Sequence, residues 1–160
     1  MATHYAGRRP GAVVVLLLFG WGLLFGGGCA QPLPRWNLAA SGWAVREAAA
    51  LWRPSRDADE VVGEISVASH PDGSRLVRFS KQGLTWMTAR VGQGVWEFSA
   101  VSRHGIYRGR GKPPSRLVWF EVGSLERAPE SGRGWTVTVR EGGGWVMEAT
   151  GRGERLEVVP

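Results

Sequence analysis

Cysteine occurs once, at Cys29, and lysine only at Lys81 and Lys112, against 18 arginines. A lone thiol cannot cross-link the chain internally, which excludes a disulfide-stapled fold. Histidine is also scarce, at His4, His70 and His104, so little acid–base equipment is available near neutral pH. The sequence has no His-x-x-x-His, no paired cysteines, no Asp/Glu cluster at metal spacing and no Gly-x-Ser-x-Gly. A nucleophilic triad would have to rest on His70 or His104. His70 precedes Pro71 in a tight turn and His104 lies in Ser102-Arg103-His104-Gly105, and both read as loop residues. Asp57, Asp59 and Glu60 sit in a polar link, where solvated charge is the plain reading. Glu64 and Glu97 fall on strands, with nothing to single them out. The expectation is a protein that is not an enzyme and takes no metal or cofactor.

Long apolar runs are missing too. The longest, Ala12 to Phe25 (AVVVLLLFGWGLLF), falls short of the roughly 20 residues an ordinary transmembrane helix needs. Charge of one sign is only mildly in excess. The formal net charge is +6, and beyond Arg8 and Arg9 the balance is 18 basic to 14 acidic residues, too even for a nucleic-acid-binding domain.

What is present begins with a leader. Arg8 and Arg9 precede the apolar run, and Gly26, Gly27 and Gly28 lead to Cys29, the layout of an export signal. The pattern resembles a bacterial lipoprotein signal peptide, which implies a signal over 1–28 and diacylglycerol on Cys29. It departs from that pattern at Gly26, where a large aliphatic residue is usual. Ala30 stands where an aspartate retains some lipoproteins in the inner membrane, which favours the outer membrane, facing the periplasm. Residues 29–35 then read as a Pro-containing tether.

The rest, 36–160, is expected to be one domain. At 160 residues the whole chain is near the size of a single domain, and 43% hydrophobic with 21% charged residues suits a packed core. From Trp36 to Trp52 the alanines and the Trp36, Trp43 and Leu51 stripe predict an amphipathic helix, ended by Pro54. Beyond residue 60 the period becomes two. Strands are predicted at 61–68, 74–81, 84–91, 95–101, 106–110, 134–140, 145–150 and 155–159, with glycine-bearing turns between them. Residues 111–128 fit a buried strand or a short lid-like helix equally well.

Hairpin register gives each strand an inner face. Setting Lys81 opposite Leu84 places Phe79 opposite Trp86, and setting Val91 opposite Val95 adds Trp96 and Phe98. Setting Val139 opposite Trp145, and Thr150 opposite Arg155, places Trp135, Met147 and Val158 on one apolar face. The predicted fold is mainly β: a curved antiparallel sheet forming a half-open β-barrel with an N-terminal helix. A two-sheet sandwich stays open as the other architecture.

Two features exceed background. Nine tryptophans, eight of them beyond the leader, are many for a small sheet; they are either core or the wall of an apolar cavity. The stretch 103–116 carries Arg103, Arg108, Arg110, Lys112 and Arg116 with no acidic residue. It reads as a solvated loop, or as one that meets lipid phosphates or an acidic partner.

The order of these pieces resembles the LolA/LolB-like lipoprotein-carrier family, and the outer-membrane receptor branch more closely. The resemblance rests on the lipobox-like Cys29, the Trp-bearing segment after it, the strand Val61-Val62-Gly63-Glu64-Ile65-Ser66-Val67, and the closing strands Gly134-Trp135-Thr136-Val137-Thr138-Val139 and Arg155-Leu156-Glu157-Val158-Val159. It implies a lipid-anchored periplasmic protein that holds acyl chains or lipoprotein cargo on an apolar inner face, receives it from a periplasmic carrier, and serves lipoprotein localisation. The acyl-binding residues it implies are Phe79, Trp86, Trp96, Phe98, Trp135, Met147 and Val158. The apolar loop residue of the receptor branch has no counterpart in Gly92-Gln93-Gly94. A non-carrier interaction lipoprotein with a filled core is the alternative.

Overall fold

The computed structural model describes Leu33, residues 36–101 and residues 103–159, with backbone alone at 103 and 104. The expected signal peptide, Cys29 and most of the tether lie outside the described residues. Nine strands form one open antiparallel sheet: β1 (Ala44–Arg53), β2 (Val61–Ser69), β3 (Arg75–Lys81), β4 (Leu84–Gly92), β5 (Val95–Ala100), β6 (Arg103–Arg110), β7 (Trp135–Val139), β8 (Trp145–Ala149) and β9 (Arg155–Val159). Their order is β6-β5-β4-β3-β2-β1-β9-β8-β7. The chain therefore meanders from β1 out to the β6 edge, crosses to the far edge at β7, and meanders back to β1.

The predicted helix over Trp36–Trp52 is not formed. Residues 38–42 make turns, and Ala44–Arg53 is a central strand that pairs with β2 on one side and β9 on the other. Alanine favours helix only weakly, and a ladder of nine pairs to β2 with one of five pairs to β9 outweighs that preference. Small residues also serve this position. Ala50 pairs with Gly63 on one side and Val158 on the other. A Cβ on Gly63 would lie 2.8 Å from the Phe79 ring and 2.3 Å from the Ser80 carbonyl oxygen. The absence of a side chain there leaves room for that ring.

The other strands fall close to their expected places, with shifts in register. Lys81 pairs with Leu84 as expected, but Phe79 pairs with Met87 rather than Trp86, because a bulge leaves Trp86 unpaired between Thr85 and Met87. The next turn is the two-residue Gln93-Gly94, pairing Gly92 with Val95 instead of Val91 with Val95. Gln93 and Gly94 both take positive φ, 53° and 70°, as do Gln82 and Gly83 at 52° and 75°, the requirement of tight hairpin turns matched to strand twist. At the C-terminus Glu148, not Thr150, pairs with Arg155. The slip is of two residues, so the inner face is preserved.

One face of the sheet carries the core: Ala50, Trp52, Ile65, Val67, Val77, Phe79, Met87, Ala89, Phe98, Trp135, Trp145, Met147, Leu156 and Val158. The edge-to-edge crossover, residues 111–134, lies over it. It contains neither a strand nor an α-helix, only a 3₁₀ turn at Val118–Phe120. Leu117, Val118, Trp119, Phe120, Val122 and Leu125 are all buried in the same core.

Candidate functional site

The covered face is where six of the seven expected acyl-binding residues come together. Phe79, Phe98, Trp135, Met147 and Val158 are buried, and Trp96 is half-buried beside them. Trp86, displaced by the bulge, packs at the margin with the Lys81 ammonium 5.6 Å from its ring centroid.

Their neighbours belong to the crossover. Trp119 meets Trp52 edge-on at 5.4 Å between ring centroids and Phe79 at 6.1 Å. Phe120 meets Trp96 at 5.8 Å and Phe98 at 6.3 Å. These are favourable tilted geometries, each worth about 0.5–1.5 kcal/mol beyond area burial. Polar ties hold the middle of the segment. The Trp119 indole N–H donates to Glu154 Oε1 at 3.1 Å, and the Trp145 indole N–H to the Leu125 carbonyl at 3.2 Å. The Arg75 guanidinium donates to the Phe120 carbonyl. Burial pushes the Arg75 pKa down, and Glu121 opposes that shift. The Trp52 indole nitrogen is buried without a hydrogen-bond partner among the described residues.

The basic stretch is mostly strand rather than loop. Residues 103–110 form β6, an edge strand with Ile106 and Tyr107 exposed. Arg110, Lys112 and Arg116 are exposed, whereas Arg108 Nε donates to Glu97 Oε2 at 2.8 Å. This pair is the centre of a cluster on the opposite face. The buried Glu97 also accepts from Arg90, at 3.1 Å from Nε to Oε1. Burial raises the Glu97 pKa, but hydrogen bonds and charge from Arg108 and Arg90 outweigh it, holding the carboxyl below the usual glutamate range.

Over this cluster lies the N-terminal part of the described chain. Arg90 donates to the Leu33 carbonyl at 3.3 Å, and its guanidinium sits 5.7 Å from the Trp36 ring centroid. Trp36 packs on Trp43 at 5.1 Å, and Trp43 on His70 at 5.2 Å. Trp36, Leu38, Leu76, Arg78, Thr88, Arg90, Glu97 and Ser99 enclose a groove of about 370 Å³. Sequence reasoning passed over this groove. The expected register puts Thr88 and Arg90 on the inner face with Trp86; the bulge and the one-residue shift turn them outward beside Arg78, and nothing local says that residues 33–43 fold back above them.

His70 caps its own turn, with Nδ1 2.9 Å from Asp72 Oδ1. Asp72 accepts from the Ser74 backbone N–H at 2.7 Å, and this bond, then His70, lowers its pKa. Among the described residues no group of three or more His, Cys, Asp and Glu could hold a metal ion. No helix among them is long and apolar enough to cross a membrane.

No family model, curated protein or solved structure matches this chain.

Proposed function

We propose that this chain is a non-enzymatic cell-envelope lipoprotein, anchored through Cys29 to the periplasmic side of the outer membrane. In this reading it works as an interaction module on a half-open barrel whose interior is filled. The observation that carries the reading is the crossover. Trp119 and Phe120 occupy the space against Phe79, Trp96 and Phe98 that an acyl chain would need.

Curling of the sheet is supported by the same segment. From β5 to β8 there are six strand spacings, about 29 Å if flat at ~4.8 Å each. Phe120 touches β5 and the Leu125 carbonyl is bound by Trp145 of β8, and the five residues of backbone between them reach about 17 Å before the length of the side chains is added. A sheet curled around the crossover accommodates both contacts.

The carrier reading has one observation in its favour. The crossover is tied to the sheet by side-chain bonds and ring contacts rather than by a β-ladder, so it could leave without unzipping a strand. Acyl chains or lipoprotein cargo, delivered by a periplasmic carrier, would then replace Trp119 and Phe120. Native mass spectrometry of the exported protein, alone and with added palmitate, separates the two. The filled-module reading expects a bare polypeptide apart from the lipid on Cys29, and no palmitate uptake. Stoichiometric palmitate in a Cys29→Ser variant would overturn it in favour of the carrier.

A further inference from the structure

The groove on the face opposite the crossover holds a guanidinium without a partner among the described residues. Arg78 sits mid-strand in β3, between Ser66 of β2 and Thr88 of β4, and lines the groove half-buried. It has no hydrogen-bond or ion-pair partner among the described residues. Thr88 pairs in turn with Ser99 of β5, so a row of hydroxyls runs across the sheet beside the cation. The neighbouring row is Arg90, Glu97 and Arg108, where one carboxylate answers two guanidinium groups. Two arginines to one glutamate among its lining residues leave the groove cationic. Trp36 and Leu38 form its apolar wall, and Trp36 is braced by Arg90 and Trp43.

We infer that this groove binds a phosphate group, with the Arg78 fork and the Thr88 and Ser99 hydroxyls on the phosphate oxygens and the adjoining organic body against Trp36. The arginine fork matches the spacing of phosphate oxygens, and the hydroxyls supply further donors. A volume of about 370 Å³ is ample for a phosphorylated glycerol or sugar. The phosphate could come from a soluble metabolite or from a lipid headgroup. The groove lies on the face opposite the crossover, so this inference stands whether or not acyl chains enter the covered face.

The test is a titration of the full-length protein with inorganic phosphate, sn-glycerol 3-phosphate and dihexanoyl phosphatidylglycerol below its micelle concentration. The Trp36 indole N–H and the Arg78 Nε–H are followed by ¹⁵N NMR. Saturable shifts of both resonances with the soluble phosphates identify a soluble source, and shifts with the short-chain lipid alone identify a headgroup. In either case Arg78→Gln is expected to weaken binding at least about tenfold, while Arg127→Gln, at an exposed position of the crossover on the other face, leaves it unchanged. Thr88→Val, which keeps the shape of the side chain, is expected to weaken it about three- to tenfold. No saturable shift with any of the three probes overturns the inference. So does binding of equal strength in a folded Arg78→Gln protein.

Discussion

Replacing Trp119 with alanine tests whether the crossover belongs to the core. Trp119 is 1% exposed and packed between Trp52 and Phe79. Truncating a buried tryptophan costs about 3–5 kcal/mol in lost transfer energy and cavity. The indole N–H to Glu154 is lost as well, about 0.5–1.5 kcal/mol for an ordinary hydrogen bond and more for one to a carboxylate. Domains of this size have about 5–15 kcal/mol in total, so the variant should retain only a fraction of its stability. Trp119→Phe separates the two contributions, keeping a ring in place and losing the N–H, with an expected cost of about 1–3 kcal/mol. Urea unfolding, followed by far-UV circular dichroism so that the changed tryptophan count does not matter, gives both values. A cost below about 1 kcal/mol for Trp119→Ala would refute the reasoning, because a segment merely resting on the sheet could lose its largest side chain at little expense.

Three further outcomes follow from particular contacts. Gly63→Ala should cost about 1–3 kcal/mol, since the new methyl meets the Ser80 carbonyl at 2.3 Å; an unchanged thermal midpoint would mean that β2 and β3 are not in this register. Gln82→Asn should raise stability by about 0.5–1 kcal/mol, because asparagine tolerates the φ of 52° better than glutamine; chemical denaturation measures it, and a loss would contradict the turn geometry. Glu97 has a depressed pKa in the folded state, so its contribution is present above the unfolded glutamate range and is lost as pH falls through the folded value. The parent should therefore lose stability on acidification more steeply than Glu97→Gln, and parallel pH profiles would show that Arg90 and Arg108 do not hold that carboxylate.

Where the fold was legible, alternation made it so. Eight of the nine strands are marked by period two and by glycine at the turns, because a half-buried antiparallel strand must alternate. The inner-face residues Phe79, Trp96, Phe98, Trp135, Met147 and Val158 follow from that parity alone. Two kinds of information were not local. Ala44–Arg53 reads as helix from its alanines, and only its flanking strands, β2 and the distant β9, make it a strand. The bulge at Trp86 shifts the pairing from Phe79 onward by one residue, which the turn residues Gln82-Gly83 do not encode. Residues 111–128 were ambiguous for a related reason. Leu117, Val118, Trp119 and Phe120 are apolar enough for a strand, yet their partners are side chains across the sheet rather than a neighbouring backbone. The groove beside Arg78 is not legible because Trp36 reaches it through a reversal of the chain at 38–42, whose turn signal, Ser41-Gly42, lies inside the alanine-rich stretch that reads as helix.

The most direct measurement is of proximity between the crossover and the sheet. Nuclear Overhauser contacts between the Trp119 indole and the rings of Phe79 and Trp52, and between the Phe120 and Phe98 rings, are expected throughout the ligand-free protein. Slow amide exchange is expected at Phe120 and Glu121, whose N–H groups bond to Leu117 and Val118. If those ring contacts are missing and both amides exchange as in an open loop, the covered face is vacant in solution, and the filled interior on which the proposed function rests is wrong.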